Sequence, residues 1–281
     1  MTKIAILTDS SADINDIDAK ANGIHVVRMP ISINDVEYIE HDTINYEEFV
    51  EKMRQDSICK TSQPSVGATI NMYKKLLEDY DHIIHVPLSS ALSGTYETAL
   101  TLSEDFNNKI TVLDAKHVTV PLAILCKQIR GLINEGKYVE QIKDIVENKT
   151  DFWATLLPDD LKYLKRGGRI SQAAALLGNL LKIVPILKVE NGGIDVYDKV
   201  RTKNKAIKVA LEATTNVPNC SDYLWTVIHA DCLELGQSVA KDLEEITGEK
   251  VHLDIIGSVV MSHTGPGTIG IGRIKKIENV Y

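Results

Sequence analysis

The sequence predicts an α/β protein with two domains, and three observations support this fold class. In the first half, short apolar runs alternate with segments of helical periodicity, which is the pattern of parallel βαβ units. In the second half, hairpin signals interrupt the alternation, which indicates an α+β domain with a mixed or antiparallel sheet. The 281 residues are 44% apolar, enough to form two cores. We therefore expect a three-layer, mostly parallel, Rossmann-like domain over 1–152 and the α+β domain over 153–281.

The elements of the first domain follow from its hydrophobic periodicity. The predicted strands are 3–9, 82–86 and 109–115, with an inserted β-hairpin of 25–33 and 36–41 around Asn34-Asp35. The predicted helices are 11–23, 46–56, 65–80 and 94–106, followed by two that end near Lys149.

The second domain has a different order of elements. The predicted strands are 150–158, a hairpin of 182–190 and 194–200 through Asn191-Gly192-Gly193, 223–230 and 251–262. The predicted helices are 159–168, stopped by Gly167-Gly168, and then 171–182, 203–215 and 233–248.

The formal net charge of −8 argues against a protein that binds nucleic acid through bulk electrostatics. The average hides one basic stretch, because residues 162–208 carry eleven Lys or Arg against three acidic residues. This stretch has a net charge of +8, so the rest of the chain carries −16. Two interpretations stay open, a solvated face and a docking surface for an acidic partner.

The cysteines and the amino-terminal sequence indicate a cytoplasmic protein without a zinc site or a disulfide framework. The four cysteines are scattered and form no CxxC pair. The first apolar run, residues 4–7, is too short for a signal peptide or a membrane span.

Two familiar motifs lack the context that their chemistry requires. Residues 265–270 read GPGTIG and match G-x-G-x-x-G. The dinucleotide fingerprint must join a strand to a helix, whereas only eleven residues follow Gly270, and Pro266 favours a rigid turn. The sequence ALSGT around Ser93 has Ala91 where a nucleophile elbow requires glycine.

Three turns rich in small hydroxyl residues are the most informative feature of the sequence. They are residues 8–11 (TDSS), 61–65 (TSQPS) and 87–95 (PLSSALSGT). Two follow predicted parallel strands and one opens a helix, at the edge where doubly wound sheets bind ligands. Each turn alone is typical of helix capping. Three turns that avoid Lys and Arg indicate a small anion, such as a carboxylate, held by neutral donors.

A histidine lies in a polar stretch, residues 262–265 (SHTG), at the expected end of an apolar strand. A lone histidine is usually structural, but its pKa near neutrality also suits a hydrogen-bond donor or a proton carrier. Both interpretations of His263 stay open on the residues alone.

The order of several segments resembles the DegV family. The segments are TDSSADI, TSQPS, SSALSGTYETA, LKYLKRGGRIS and HTGPGTIG, which together span nearly the whole chain. This family includes the fatty-acid-binding subunits of bacterial fatty acid kinase. The resemblance implies a buried long-chain fatty acid, such as palmitate or oleate, with its carboxylate at and near the domain junction. It also implies a separate kinase that uses ATP to convert that carboxylate into an acyl phosphate for phospholipid synthesis.

The resemblance further implies that the chain presents a lipid and is not itself an enzyme. It then needs no cofactor or metal, binds no nucleic acid, and contacts a membrane at most transiently. Six residues are implied at the carboxylate, with the histidine able to assist phosphoryl transfer: Thr61, Ser62, Ser93, Gly94, Thr95 and His263. Two basic residues match positions associated with docking of the kinase: Arg169 and Arg201.

An acyl tunnel needs small residues beside apolar walls. The candidates are Ala173, Ala174, Leu176, Leu177, Leu180 and Ile186. Ordinary core packing is the alternative interpretation of each.

A different class of function also stays open, an independent serine hydrolase or acyltransferase with Ser93 as nucleophile and His263 as base. The missing elbow glycine disfavours it, and no carboxylate is evident beside His263 to orient the ring. A third possible function is a protein that binds nucleic acid or regulates another protein. The acidic net charge of the chain disfavours it.

Overall fold

The computed structural model describes residues 2–170 and 183–277. Contacts between Cα atoms divide the chain into two compact units. Unit 1 comprises Met1–Pro30, Thr61–Thr150 and Ile277–Tyr281, and unit 2 comprises Ile31–Lys60 and Asp151–Lys276. The segment Ile31–Lys60 therefore groups with the C-terminal half of the chain, although it comes early in the sequence.

Most elements match the sequence prediction, while the helix predicted at 171–182 lies outside the described residues. The strands are β1 (Ile4–Asp9), β2 (Ile24–Val27), β3 (Pro30–Ile33), β4 (Val36–Ile39), β5 (Cys59–Thr61), β6 (His82–His85), β7 (Ile110–Val112), β8 (Phe152–Leu157), β9 (Val184–Glu190), β10 (Gly193–Val200), β11 (Tyr223–His229), β12 (Val251–Ile255) and β13 (Ile269–Lys275). The α-helices are Asp16–Ala21, Tyr46–Arg54, Val66–Asp79, Thr95–Ser103, Thr119–Asn134, Val139–Asn148, Lys162–Gly167, Lys203–Thr214, Leu233–Thr247 and Ser258–Thr264.

Unit 1 is built on a four-stranded parallel sheet with the order β2-β1-β6-β7. β1 is buried along its whole length, as expected for a strand covered on both faces. One face packs against the Thr119–Asn134 and Val139–Asn148 helices. The other face packs against the Val66–Asp79 and Thr95–Ser103 helices. The predicted three-layer parallel architecture is confirmed.

The hairpin turn predicted at Asn34-Asp35 is present, and β3 and β4 are neighbours in a three-stranded sheet of order β4-β3-β5. The single strand predicted over 25–33 is wrong, because the structure divides it into β2, which joins the parallel sheet, and β3. Asn34 and Asp35 have φ of 48° and 64°, the left-handed conformation that a two-residue type I′ turn requires. Short polar side chains tolerate this conformation best, which explains why the chain reverses here.

Unit 2 contains a six-stranded mixed sheet with the order β10-β9-β8-β13-β11-β12. β11 and β12 are parallel, and the other neighbours are antiparallel. The β9–β10 hairpin turns at Asn191 and Gly192, which both have positive φ. One face packs with the Lys203–Thr214 and Leu233–Thr247 helices around the fully buried Trp225. The predicted mixed sheet is confirmed.

The prediction of a single strand over 251–262 is wrong, because β12 ends and the Ser258–Thr264 helix follows. Val259 and its neighbouring valine favour a strand by propensity, but tertiary contacts override this preference. The first N–H of the helix donates to the buried carboxylate of Glu40 at 2.8 Å. The helix is buried on nearly all sides, so its sequence has no amphipathic period. His263 therefore lies in the last turn of a helix.

Candidate functional site

The candidate site of unit 1 lies where the strand order of its sheet reverses. The chain places β2 on one side of β1 and later places β6 on the other side. β1 and β6 are parallel neighbours, with Leu7 opposite His85, so their carboxyl ends open at the same edge. Open parallel sheets bind ligands in the crevice at such a reversal. Two of the hydroxyl-rich turns, 8–11 and 87–95, leave the sheet at this point.

The strands on both sides of β6 fix the backbone of the turn that follows it. Asp9, the last residue of β1, accepts the N–H of Leu88 at 2.8 Å. Asp114, just after β7, accepts the N–H of Ser90 at 3.2 Å and its hydroxyl at 2.6 Å. The turn is thus anchored from two neighbouring strands.

Further hydrogen bonds, one to His117 and the others within the turn, also hold residues 87–95 in place. The N–H of Ser89 donates to the carbonyl of His117 at 3.1 Å, and the N–H of Ala91 donates to the hydroxyl of Ser89 at 3.3 Å. The N–H groups of Leu92 and Ser93 donate to the carbonyl of Ser89 at 3.0 and 3.2 Å. The turn is therefore a rigid support for the donors that come after it.

Those donors lie at the start of the Thr95–Ser103 helix. The N-cap residue of this helix is Gly94, which has no side chain that could cap it. The Oγ of Ser93 lies 2.8 Å from Oγ1 of Thr95 and accepts the Thr95 N–H at 3.3 Å. One hydroxyl proton can lie between the two oxygens, so the other is available to an anion. The first-turn N–H groups and the helix dipole add positive potential at the same place.

The TSQPS segment contacts this helix through Gln63. Oε1 of Gln63 accepts the hydroxyl of Thr98 at 3.1 Å. A Cβ built on Gly94 would lie 3.6 Å from the same oxygen, so the two segments are in van der Waals contact. Thr61 is half-buried at the end of β5, and Ser62 is exposed. The structure therefore places the second hydroxyl-rich turn beside the third.

The first hydroxyl-rich turn is joined to the second through the residues that follow β2. The hydroxyl of Ser10 accepts the N–H of Met29 at 2.9 Å. The carbonyl of the next residue, Pro30, accepts the N–H of Ser62 at 3.1 Å. Unit 1 thus brings all three turns to one edge.

The predicted set lacks several residues that support this arrangement, among them Asp9, Gln63 and Asp114. Asp9 is fully buried, and burial raises the pKa of its carboxyl, while hydrogen bonds from Leu88 and Ser11 act in the opposite direction. Asp9 and Asp114 share one signal in the sequence, since each is an acid directly after a run of buried β-branched or aliphatic residues. Gln63 has no comparable signal, because its contact with Thr98 arises only in the fold.

Unit 2 holds His263 against the Lys162–Gly167 helix. A Cβ built on Gly167 would lie 2.1 Å from Nδ1 of His263, so the ring occupies the space of that missing side chain. Burial, and then the positive charge of Arg169, lower the pKa of His263 to about 4. The imidazole is therefore neutral at pH 7 and can donate one hydrogen bond and accept another.

Arg169 and Arg201 also belong to unit 2. Arg169 donates from its guanidinium to the carbonyl of Gly167. Arg201 is exposed between β10 and the next helix, which Thr202 caps. Both arginines lie in the basic stretch 162–208.

Part of this basic stretch is paired within unit 2. Asp56 lies 3.0 Å from Nζ of Lys162 and 3.3 Å from Arg166. Asp159 lies 3.1 Å from Nζ of Lys203. These exposed pairs orient the cations and offset some of the positive charge.

The proposed acyl tunnel falls only partly within the described residues. Five of its candidate residues lie outside them: Ala173, Ala174, Leu176, Leu177 and Leu180. Ile186 on β9 is fully buried in the cluster that includes the Lys203–Thr214 helix. Its neighbour Leu187 packs on the opposite face of the sheet with Leu156 and Leu164. Both faces of β9 are therefore apolar.

The GPGTIG sequence forms the turn that Pro266 predicts. Gly265 and Gly267 have φ of +79° and +80°, and the sequence joins the Ser258–Thr264 helix to β13. A dinucleotide loop requires the opposite order, a strand followed by a helix. This turn therefore does not have the geometry of a nucleotide site.

The described part of the chain contains neither a cluster of metal-binding side chains nor a helix that could span a membrane. Within 2–170 and 183–277, no three His, Cys, Asp or Glu side chains are grouped so that they could hold a metal ion. Within the same ranges, no helix is both long and apolar enough to cross a membrane.

Comparison with known proteins covers nearly the whole chain. The DegV family model matches residues 3–276. A DegV domain-containing protein of Staphylococcus aureus strain N315 is 32% identical, over 98% of this chain and 100% of the relative. Another from Streptococcus pneumoniae strain R6 is 35% identical, over 98% of this chain and 100% of the relative.

Solved structures share the fold over the same length. DegV of Bacillus subtilis, a fatty acid binding protein, has a TM-score of 0.88 at 30% identity and covers 98% of this chain and 100% of that one. A stearic-acid-binding protein of Eubacterium ventriosum has a TM-score of 0.89 at 25% identity and covers 98% and 99%. The sequence match and the shared fold extend over both units, and the chain therefore belongs to the DegV family.

Proposed function

We propose that this protein binds a long-chain fatty acid and holds its carboxylate at the start of the Thr95–Ser103 helix. The observation that carries the proposal is this helix start, whose N-cap residue is Gly94, beside the hydroxyl pair of Ser93 and Thr95. A carboxylate only accepts hydrogen bonds, and this edge presents donors. The similar proteins of Bacillus subtilis and Eubacterium ventriosum bind fatty acids, which supports the same ligand class here. We assign Thr61 and Ser62 to the same proposed carboxylate site, as further hydrogen-bond donors.

Neutral donors are sufficient because the acyl chain supplies most of the affinity. Burying ~14 methylenes contributes about 11 kcal/mol before the costs of binding are subtracted. Each hydrogen bond to the charged carboxylate adds roughly 1.5 to 3 kcal/mol. In this proposal the six candidate tunnel residues contact the acyl chain, while Ser93 and its neighbours set the orientation and the headgroup specificity.

We also propose that the protein presents the bound carboxylate to a separate ATP-dependent kinase and catalyses no step itself. The exposed Arg201 and the nearby basic residues of 162–208 suit an acidic surface on such a partner. Arg169 is the second proposed contact. The family resemblance assigns His263 to the headgroup, and the neutral imidazole suits a hydrogen-bonding role there.

An independent hydrolase that uses Ser93 and His263 is the competing function. The hydroxyl of Ser93 pairs with Thr95 rather than with a base among the described contacts. A histidine with a pKa of about 4 gives little driving force for proton abstraction near pH 7. Both observations favour binding over hydrolysis.

One experiment separates the two functions. Purified, delipidated protein is mixed either with palmitate or with the chromogenic ester p-nitrophenyl palmitate. We expect a mass shift of one palmitate by native mass spectrometry and a higher melting temperature, without turnover of the ester. Catalytic ester turnover that Ser93→Ala abolishes, with no stable palmitate complex, would replace the proposal with the hydrolase.

A further inference from the structure

The turn after β6 lies between two carboxylates that come from the strands on either side. The sheet order is β2-β1-β6-β7, with Asp9 at the end of β1 and Asp114 just after β7. The N–H of Leu88 donates to Asp9 at 2.8 Å, and the N–H of Ser90 donates to Asp114 at 3.2 Å. Hydrogen bonds to a charged acceptor are roughly twice as strong as neutral ones.

Both carboxylates have further donors that hold them in place. Asp9 is fully buried, and its Oδ1 accepts the N–H of Ser11 at 2.9 Å and the Ser11 hydroxyl. Asp114 is half-buried and binds the hydroxyl of Ser90 at 2.6 Å as well as its N–H. A shift of either acid leaves its oxygens and the N–H groups that face them without partners, which is costly away from water. The turn therefore has two fixed points, at Leu88 and Ser90.

These fixed points determine where the Ser93 hydroxyl lies. Ser89 is between them, and its carbonyl accepts the N–H of Ser93 at 3.2 Å. Ser93 then accepts the N–H of Thr95, where the helix begins. The chain of contacts from the two acids to the helix start is short and continuous.

We propose that Asp9 and Asp114 are positioning residues, which aim the Ser93 hydroxyl and the first N–H groups of the Thr95–Ser103 helix and so make the site specific for a carboxylate headgroup. This inference rests on the proposed fatty-acid function. The two acids act through Leu88 and Ser90, and the headgroup is bound by the donors that they orient.

The test compares a fatty acid with an ester of the same chain length. Affinities are measured for palmitate and for methyl palmitate, which lacks the charged carboxylate, with wild type, Asp114→Ala and Asp114→Asn. Asp114→Ala is expected to weaken palmitate binding about tenfold and to leave methyl palmitate binding unchanged. Asp114→Asn keeps an oxygen acceptor for Ser90 and is expected to retain most of the palmitate affinity. Asp105→Ala, at an exposed site beyond the helix, is the charge-matched control and should bind both ligands like wild type.

The ratio of the two affinities distinguishes positioning from general structural support. An Asp114→Ala variant that binds palmitate as well as wild type, or that loses affinity for both ligands equally, overturns the inference while the proposed function stands. A wild-type protein that binds neither ligand refutes the proposed function and the inference with it. Replacement of the fully buried Asp9 risks unfolding, so the half-buried Asp114 carries the test.

Discussion

The ring of His263 fills the space beside Gly167, where a Cβ would lie 2.1 Å from Nδ1 and 3.1 Å from Cε1. Both distances are shorter than the 3.5–4.0 Å at which non-bonded heavy atoms normally touch. A glycine at this position is therefore needed for its missing side chain, because it lets the Lys162–Gly167 helix approach the imidazole. The position of His263 thus depends on a residue of another helix.

The Gly167→Ala variant should be destabilised by about 1 to 3 kcal/mol, because the added methyl forces the His263 ring or the helix to move. Urea denaturation measures the free energy of unfolding. Gly67→Ala is the matched control, since Gly67 is also helical and has nothing within 4 Å of a built Cβ. That change should be neutral or stabilising by up to ~1 kcal/mol. Equal stabilities of the two variants would contradict the close packing at Gly167.

Stability should fall as the pH drops from 6.5, because two buried histidines stay neutral in the fold. Burial lowers the pKa of His263 to about 4 and that of His85 to about 3, from an ordinary value of 6.5. Below pH 6.5 the unfolded chain binds protons that the folded chain does not. Each histidine then removes at most about 1.4 kcal/mol of stability per pH unit.

Unfolding free energies measured between about pH 7 and pH 5 test this dependence, and the range stays above the pKa of ordinary carboxyls. His263→Gln removes one histidine with a lowered pKa, so its stability should depend less steeply on pH than that of wild type. Parallel curves for the two proteins would show that His263 titrates normally in the fold.

Ser93→Ala and Thr61→Ala should each weaken fatty acid binding ten- to hundredfold, because each removes a hydrogen bond worth roughly 1.5 to 3 kcal/mol to a charged group. Isothermal titration with palmitate measures the affinity, and thermal melting checks the fold. Thr101→Ala is the control, since that exposed hydroxyl donates to the carbonyl of Glu97 in its own helix. Undiminished palmitate affinity in Ser93→Ala would remove this serine from the headgroup site.

Arg201→Glu should abolish or strongly reduce acyl-phosphate formation with a partner kinase and ATP, while bound lipid and melting temperature stay near wild type. The substitution replaces attraction with repulsion at an exposed position of the basic stretch. Lys241→Glu is a matched control, because Lys241 is exposed and lies outside 162–208. Raising salt to about 0.5 M shortens the Debye length to roughly 4 Å and should weaken the wild-type complex.

Two outcomes would contradict this docking role. Full acyl-phosphate formation by Arg201→Glu at low salt would make the basic stretch a solvated face. Loss of lipid as severe as in Ser93→Ala would place Arg201 at the ligand. His263→Ala is expected to lose activity in the same assay, which tests whether the histidine serves the headgroup.

Local chemistry explains why much of the fold was predictable from the sequence. The hairpins at Asn34-Asp35 and Asn191-Gly192 depend on residues that adopt positive φ readily, and such signals need no long-range information. β1 and β6 are short apolar runs with turn residues at their ends, so their type and their hydroxyl-rich exits were both predictable.

Contacts between distant parts of the chain explain what the sequence did not reveal. Asp9 and Leu88 are 79 residues apart, and Gln63 and Thr98 are 35 apart, so no local pattern pairs them. The helix that carries His263 was predicted as a strand, because a helix buried on nearly all sides lacks an amphipathic period. Sequence reasoning proposed the headgroup donors but gave no sign of the side chains that hold them in place.

The central claim, that this protein holds a long-chain fatty acid, is tested most directly by native mass spectrometry of the protein purified from a bacterial host. The account predicts a complex heavier than the chain by one long-chain fatty acid, which organic extraction releases and which added palmitate restores. Repeated preparations that show only the mass of the chain, with added palmitate neither binding nor raising the melting temperature, would contradict it.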